Sequence, residues 1–233
     1  MPDLHVRLRC RRRHVSHSGG YLLVADADGK PGPKILELGC GRTKRPHAVG
    51  IDHIALPGVD IVHDLNSTPY PFDSGTFDEV YAIHVLEHLD SILRVMEEIH
   101  RITRPNARVV IITPHHSDAI SWQDPTHKWH LNSYSFSYFD PAYPTNYYST
   151  ARFRMRSREL ELASIWKALG IQYLINLDNR FPALRFLRKL WEQHLCYILR
   201  GKQMTFVLET VKPEEKSEQS DLSIGKTSGS GAQ

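Results

Sequence analysis

Residues 34–52, KILELGCGRTKRPHAVGID, constrain the fold of this chain more than any other stretch. A short apolar segment runs directly into Gly39-Cys40-Gly41, and a second apolar segment ends at Asp52. Such segments are typical of neighbouring buried strands in a parallel sheet, whose ligands bind at the carboxyl ends of the strands. Glycines at that edge let the backbone approach a ligand, and an acid there can accept the hydroxyls of a ribose. The stretch therefore predicts a nucleoside-binding corner.

Strand-like and helix-like stretches alternate along the chain, which indicates an α/β fold. We predict a Rossmann-like, seven-stranded, mostly parallel sheet with flanking helices and a shortened first crossover helix. The clearest helix follows Asp90, its predicted N-cap, and stops at Pro105. A second helix is predicted over 157–169, ending at Gly170. The predicted strands are 34–38, 48–51, 59–63, 77–83, 108–113, 171–177 and 204–211.

The glycine spacing distinguishes between two nucleotide cofactors. A dinucleotide site needs G-x-G-x-x-G at the start of a helix whose positive end faces the pyrophosphate. Here Lys44 stands where the third glycine should be, and Pro46 interrupts the short stretch that would form the helix. S-adenosylmethionine carries a sulfonium, an amino acid and an adenosine but no phosphate. The corner therefore favours S-adenosylmethionine over NAD.

Residues 34–114 resemble the bacterial class I methyltransferases of the broad methyltransferase type 11 group. The matching motifs, in the family's order, are ILELGCG, VGID, VDIVHDL, PYPFDSGTFDEVYAIHVLEHL and RPNARVVIITP. The resemblance implies an S-adenosylmethionine-dependent methyltransferase. The cofactor-binding residues that it implies are Glu37, Gly39, Cys40 and Gly41 in the glycine segment, Asp52 for the ribose, Asp64 and Leu65 for the adenine, and His84 near the methyl donor.

The chain departs from that family in two places. The helix after the glycine segment is usually longer, which leaves open what holds the methionine carboxylate; Arg42 and Lys44 are the candidates. The usual PGG turn before the fifth strand is replaced by Pro105-Asn106-Ala107, where we expect Asn106 to take the left-handed conformation.

Residues 84–88, HVLEH, also fit the H-x-x-E-H pattern of inverted zinc peptidases. In those enzymes the pattern lies inside a helix, whereas here it directly follows a predicted strand, and no third ligand stands out downstream. We therefore predict no metal site and expect Glu87 and His88 to bond to nearby backbone.

Methyl transfer to an alcohol requires a base, and histidine is the usual one near neutral pH. The catalytic candidates are His84, His115 and His127, with His116 as a further one.

An aromatic lid, about 115–155, is predicted as an insertion after the fifth strand, over the carboxyl edge of the sheet. Its core, SWQDPTHKWHLNSYSFSYF, resembles a segment of methyltransferases encoded near bacterial surface-polysaccharide genes. An aromatic and polar pocket suits a hydroxylated acceptor, although the same side chains could instead form a small core beneath the loop. We expect methyl transfer to a small-molecule or glycan-like acceptor, at a hydroxyl oxygen.

An extra amphipathic helix is predicted over 182–200. Its apolar stripe comprises Leu184, Leu187, Trp191, Leu195 and Ile198, and Arg185, Arg188 and Lys189 lie near its start. The stripe could pack on the sheet or on a second subunit, or lie on a membrane surface. Three scattered cysteines without a CxxC pair favour a cytoplasmic protein, either free or peripheral to the inner membrane face. The oligomeric state is left open.

The net charge of +3 is concentrated at one end of the chain. Residues 1–20 hold five arginines and one acid, whereas the remainder holds 24 basic and 25 acidic side chains. We predict a disordered basic arm over 1–20, one methyltransferase domain over 21–212 and a disordered polar tail over 213–233. The near-neutral domain disfavours nucleic acid as a partner. An RNA or protein methyltransferase that uses the arm, and a non-catalytic cofactor-binding domain, are the alternatives.

Overall fold

The computed structural model describes residues 15–18, 21–24 and 32–213. Strands β1 (Val15–Ser18) and β2 (Tyr21–Val24) pair as an antiparallel hairpin. Residues 15–18, predicted as part of a disordered arm, thus form a strand instead. The rest of that arm, and the predicted tail beyond residue 213, lie outside the described residues.

Seven strands form the main sheet, in the order β5-β4-β3-β6-β7-β9-β8. Strands β3 to β7 run parallel, and β9 runs antiparallel to its neighbours β7 and β8. The prediction of a Rossmann-like, mostly parallel seven-stranded sheet is confirmed. The strands are β3 (Ile35–Leu38), β4 (Ala48–Asp52), β5 (Ile61–Val62), β6 (Phe77–Ile83), β7 (Thr103–Pro114), β8 (Phe153–Leu162) and β9 (Gly201–Thr210).

Helix α1 (Ile92–Ile102) buries one apolar stripe, which includes Val95, Met96 and Ile99. Its N-cap is Ser91, whose hydroxyl accepts a hydrogen bond from the backbone N–H of Arg94, and not Asp90 as predicted. The remaining helices are short: α2 (Ala119–Gln123), α3 (Ser164–Ala168), α4 (Ile171–Ile175) and α5 (Arg185–Leu190). A π-helical turn, Trp191–Leu195, continues α5.

Of two elements predicted after the lid, the helix is wrong in its first half and the strand is wrong. The predicted helix 157–169 is strand β8 up to Leu162 and is helical only over α3, and the predicted strand 171–177 begins with helix α4. In a short apolar run, periodicity alone does not distinguish a helix from a strand. Residues 157–162 form a strand because they pair with β9. The predicted number of strands is still seven, because β8 is a strand that was not predicted and residues 171–177 are not a strand.

The connection between β3 and β4 contains turns and no helix, so the crossover helix is missing rather than shortened. Three contacts of the loop replace it. The backbone N–H of Cys40 donates to the carbonyl of Ile51, and that of Arg45 donates to the Glu37 carboxylate. The Arg45 guanidinium lies over the Tyr81 ring at 3.8 Å.

The lid contributes to the core of the domain. Phe136 and Phe139 of its 3-10 helix (Ser135–Phe139) are buried, and Phe136 packs against Phe206 of β9. The burial of these two side chains agrees with the interpretation that lid aromatics form a small core beneath the loop. Tyr147 and Tyr148, in contrast, are exposed. Asn106 has a φ of +61°, the left-handed conformation expected there.

Candidate active site

A cavity of about 480 Å³ opens at the carboxyl ends of β3, β4, β5 and β6. Its volume is in the range of small-molecule sites. Five predicted cofactor residues line it: Gly39, Asp52, Asp64, Leu65 and His84. The other lining residues are His53, Asn66, Val85, His88, Leu89 and Thr126.

Asp52 ends β4 and is fixed in place by backbone donors. It is 7% exposed, and its Oδ2 and Oδ1 accept hydrogen bonds from the N–H groups of Gly41 at 2.9 Å and Ile54 at 3.2 Å. Gly41, predicted to touch the cofactor, therefore contacts the aspartate and not the cavity. Its φ of +52° favours glycine.

Glu37 and Cys40 also lie outside the cavity lining. The Glu37 carboxylate accepts the Arg45 N–H at 2.5 Å and so holds the loop in place. Cys40 is buried close to Gly50, and burial raises the pKa of its thiol. Both residues shape the corner from behind.

Neither candidate for the methionine carboxylate lines the cavity. Lys44 forms an ion pair with Asp60, Nζ to Oδ2 at 2.5 Å, and Arg42 is exposed on the loop. No lysine or arginine of the described chain lies among the lining residues, whereas two aspartates do. The two aspartates suit a sulfonium and ribose hydroxyls.

A family model described as a methyltransferase domain matches residues 5–170 of this chain. The chain belongs to this methyltransferase family. The sheet order and the family together make it a class I S-adenosylmethionine-dependent methyltransferase.

Three proteins that the methyltransferase resembles share 15% to 30% sequence identity with it. The 24-methylenesterol C-methyltransferase 2 of Arabidopsis thaliana is 30% identical over 104 residues, which cover 35% of this chain and 29% of that protein. A SAM-dependent methyltransferase from Archaeoglobus fulgidus is 17% identical with a TM-score of 0.49, covering 76% of this chain and 86% of its own. A SAM-dependent methyltransferase from Mesorhizobium loti is 15% identical with a TM-score of 0.45, and the match covers 76% of this chain and 91% of that one.

His84 follows β6 directly and faces the cavity of the methyltransferase. Its φ of +52° is unusual for a residue with a side chain, and such conformations cluster at functional sites. Its N–H donates to the carbonyl of Ile112, which holds the backbone in this conformation. His84 Nδ1 lies 3.4 Å from Glu87 Oε1, and the interaction with this carboxylate raises the pKa of His84.

The other predicted bases lie elsewhere in the methyltransferase. His115 is 0% exposed, and its Nδ1 and Nε2 bond to Ser117 Oγ and Glu192 Oε1 at 2.8 and 2.9 Å. Burial lowers its pKa, and with both nitrogens engaged it is not positioned as a base. His116 also bonds to Glu192, at 3.2 Å, outside the cavity lining.

His127 lies behind the cavity wall, its ring 4.7 Å from that of His88. His88 and Thr126 were not predicted as site residues, yet both line the cavity and bond to each other, Nδ1 to Oγ1 at 2.8 Å. The expectation that the Glu87 and His88 side chains bond to backbone is wrong. The lid residue Thr126 reaches this place through tertiary docking, for which the sequence carries no local signal.

The lid is fastened to the segment after β6. The backbone N–H groups of Lys128 and Trp129 donate to the carbonyl of Glu87 at 2.7 and 3.3 Å. The indole N–H of Trp129 donates to the carbonyl of Leu89 at 2.8 Å. These bonds bring Thr126 and His127 against residues 87–89.

Proposed function

We propose that this methyltransferase binds S-adenosylmethionine in the cavity at the ends of β3 to β6 and methylates a hydroxyl oxygen of a small-molecule or glycan-like acceptor. One observation carries the proposal: the cavity has two carboxylates, one of them fixed by backbone donors, and no lysine or arginine from the described chain. That charge fits a cationic sulfonium ligand with hydroxyls to hold.

Each lining residue takes a role that its position supports. Asp52 accepts hydrogen bonds from the ribose hydroxyls, and Asp64 with Leu65 borders the adenine. His84 stands beside the methyl-donor end. Glu37, Cys40 and Gly41 do not line the cavity and serve to hold the corner in shape.

S-adenosylmethionine, when bound, supplies a methyl group on a positively charged sulfur. The chain has to hold the acceptor oxygen in line with that methyl group, because positioning provides most of the acceleration. With donor and acceptor bound, the imidazole of His84 would accept the hydroxyl proton while the methyl group moves from sulfur to the acceptor oxygen. His84 is favoured because it is the one predicted base that lines the cavity.

Isothermal titration calorimetry with S-adenosylmethionine tests the cofactor site. We expect Asp52→Ala to weaken binding about 100-fold, since two hydrogen bonds to a charged group together contribute about 3 kcal/mol. Asp73→Ala, which removes an exposed carboxylate outside the cavity, should bind as the parent does. Equal affinity for the parent and Asp52→Ala would refute the placement.

The acceptor class is tested by transfer of labelled methyl groups to hydroxylated glycosides, to RNA and to protein. Label on the oxygen of a glycoside or another small alcohol supports the proposal. Transfer to RNA or protein alone would support the alternative that uses the basic arm. Tight cofactor binding without transfer to any of these classes would indicate a non-catalytic binding domain.

A further inference from the structure

Glu87 is a buried carboxylate that lacks a hydrogen-bond donor. It lies in the 3-10 turn Leu86–His88 behind the cavity and is 1% exposed. Neither of its oxygens accepts a hydrogen bond from the described residues, and the His84 imidazole stands 3.4 Å away. Burying a charge costs several kcal/mol unless it is paired or coordinates a metal. A protonated His84 could pair with Oε1, but Oε2 has no partner among the described residues, and a cation bound beside it would supply one.

Two histidines beside Glu87 have their proton positions set by neighbouring groups. His127 Nδ1 lies 3.0 Å from the carbonyl of Ser121, which can only accept, so Nδ1 carries the proton. The Thr126 hydroxyl donates to Asp124 at 2.6 Å, so its oxygen accepts from His88 Nδ1. Both imidazoles, when neutral, are left with a lone pair on Nε2. Metal-binding histidines characteristically have the other nitrogen engaged in this way.

Potential ligand atoms from Glu87, His88 and His127, one per side chain, lie within 4.8 Å of one another. A carboxylate and two imidazole lone pairs cannot donate hydrogen bonds to one another, and a single cation would satisfy all three. We infer that Glu87, His88 and His127 form a binding site for a divalent transition-metal ion, contrary to the sequence-based expectation of no metal.

The ligand set indicates which ions fit. Two imidazoles and one carboxylate suit Zn²⁺ and chemically similar ions such as Co²⁺, whereas Mg²⁺ and Ca²⁺ prefer oxygen ligands alone. Sites with three protein ligands leave a position for a further one. Because His88 lines the cavity, a hydroxyl acceptor could bind there; this use of the ion rests on the proposed function, but the ion site does not.

A second cluster of two histidines and a glutamate differs from the first because its carboxylate already has hydrogen-bond donors. His115, His116 and Glu192 also group closely enough to hold an ion. There, however, Glu192 accepts hydrogen bonds from both imidazoles and from the N–H and hydroxyl of Ser133. Despite burial, these bonds lower the pKa of Glu192. That carboxylate is satisfied without a metal, whereas Glu87 is not.

The test is titration of the metal-free full chain with Co²⁺, followed by visible absorption, with Zn²⁺ as competitor. We expect one equivalent of Co²⁺ to bind and to be displaced by Zn²⁺ but not by Mg²⁺. Glu87→Gln and His127→Ala should each weaken Co²⁺ binding by more than about 100-fold, because each removes a ligand. His130→Ala, a lid histidine that stacks on Trp122 outside the cluster, should bind as the parent does.

Thermal unfolding provides a second readout. Zn²⁺ should raise the Tm of the parent and of His130→Ala and leave that of Glu87→Gln unchanged; a variant that fails to fold is replaced by His88→Gln. Asp52→Ala should bind Co²⁺ normally while losing S-adenosylmethionine, which separates this inference from the proposed function. Equal Co²⁺ affinity for the parent and the ligand variants, or no binding by the parent, would overturn the inference.

Discussion

At the scale of single residues, Gly39 and Gly41 of the cofactor corner are required for different structural reasons. Both have positive φ, +60° at Gly39 and +52° at Gly41. A Cβ on Gly39 would lie 1.9 Å from Val85 Cγ2, whereas one on Gly41 would meet nothing within 4 Å. Gly39 is thus required by the segment after β6, which packs against it. Gly41 is required mainly for the turn that aims its N–H at Asp52.

We expect Gly39→Ala and Gly41→Ala to differ in stability. Gly39→Ala adds a clash to an unfavourable backbone conformation and should cost about 3 kcal/mol or more. Gly41→Ala carries only the conformational cost, about 1 kcal/mol. Urea unfolding at fixed pH measures both values, and equal losses would contradict the distinction.

At the scale of elements, the segment after β8 is fastened by a buried ion pair. Arg188 is 1% exposed, and its guanidinium contacts both carboxylate oxygens of Asp178 at 2.9 and 2.7 Å. It also donates to the carbonyl of Arg158 in β8 at 3.0 Å. The predicted apolar stripe of 182–200 is only partly buried, since Trp191 is 1% exposed and Ile198 is 70% exposed.

Removal of Arg188 should loosen this attachment. We expect Arg188→Ala to destabilise the fold by about 3 kcal/mol, because Asp178 keeps only the weaker contact with Arg158 at 3.3 Å. Arg185→Ala, one turn earlier and exposed, should change stability by less than about 0.5 kcal/mol. Calorimetric unfolding compares the two variants; similar losses would show that the ion pair does not anchor the segment.

Sequence patterns predicted those elements whose signal is local. Strands β3, β4 and β6 were found because short apolar runs end at glycine, aspartate or histidine, and these ends line the cavity. Strand β8 was missed because its bulged pairing with β9 interrupts the two-residue alternation. Thr126 and His88 were missed because they meet across 38 residues of chain. A contact of that kind depends on how the lid docks.

At the scale of the whole molecule, residues 164–199 present many exposed apolar side chains. They comprise Ile165, Leu169, Tyr173, Leu174, Phe186, Leu190, Tyr197 and Ile198. Exposed Arg185 and Lys189 lie among them. No helix of the described chain is long and apolar enough to span a membrane. From these exposed apolar and basic side chains we predict docking on an anionic membrane surface, one of the alternatives that the sequence left open.

Co-sedimentation with vesicles of anionic and of neutral lipid tests this docking. We expect the parent to bind anionic vesicles preferentially, and Phe186→Ser with Leu190→Ser to reduce the bound fraction several-fold. Val62→Ser, which changes an exposed residue at the opposite edge of the sheet, is the control. If the parent does not sediment with anionic vesicles, the prediction of lipid docking is wrong. Self-association that the double variant abolishes would instead indicate that this surface binds a second copy of the chain.

The docking of Lys128 and Trp129 on residues 87–89 has a consequence for traffic through the cavity. Three hydrogen bonds hold this stretch of the insertion against residues 87–89, so exchange of ligands would not depend on movement of this part of the insertion.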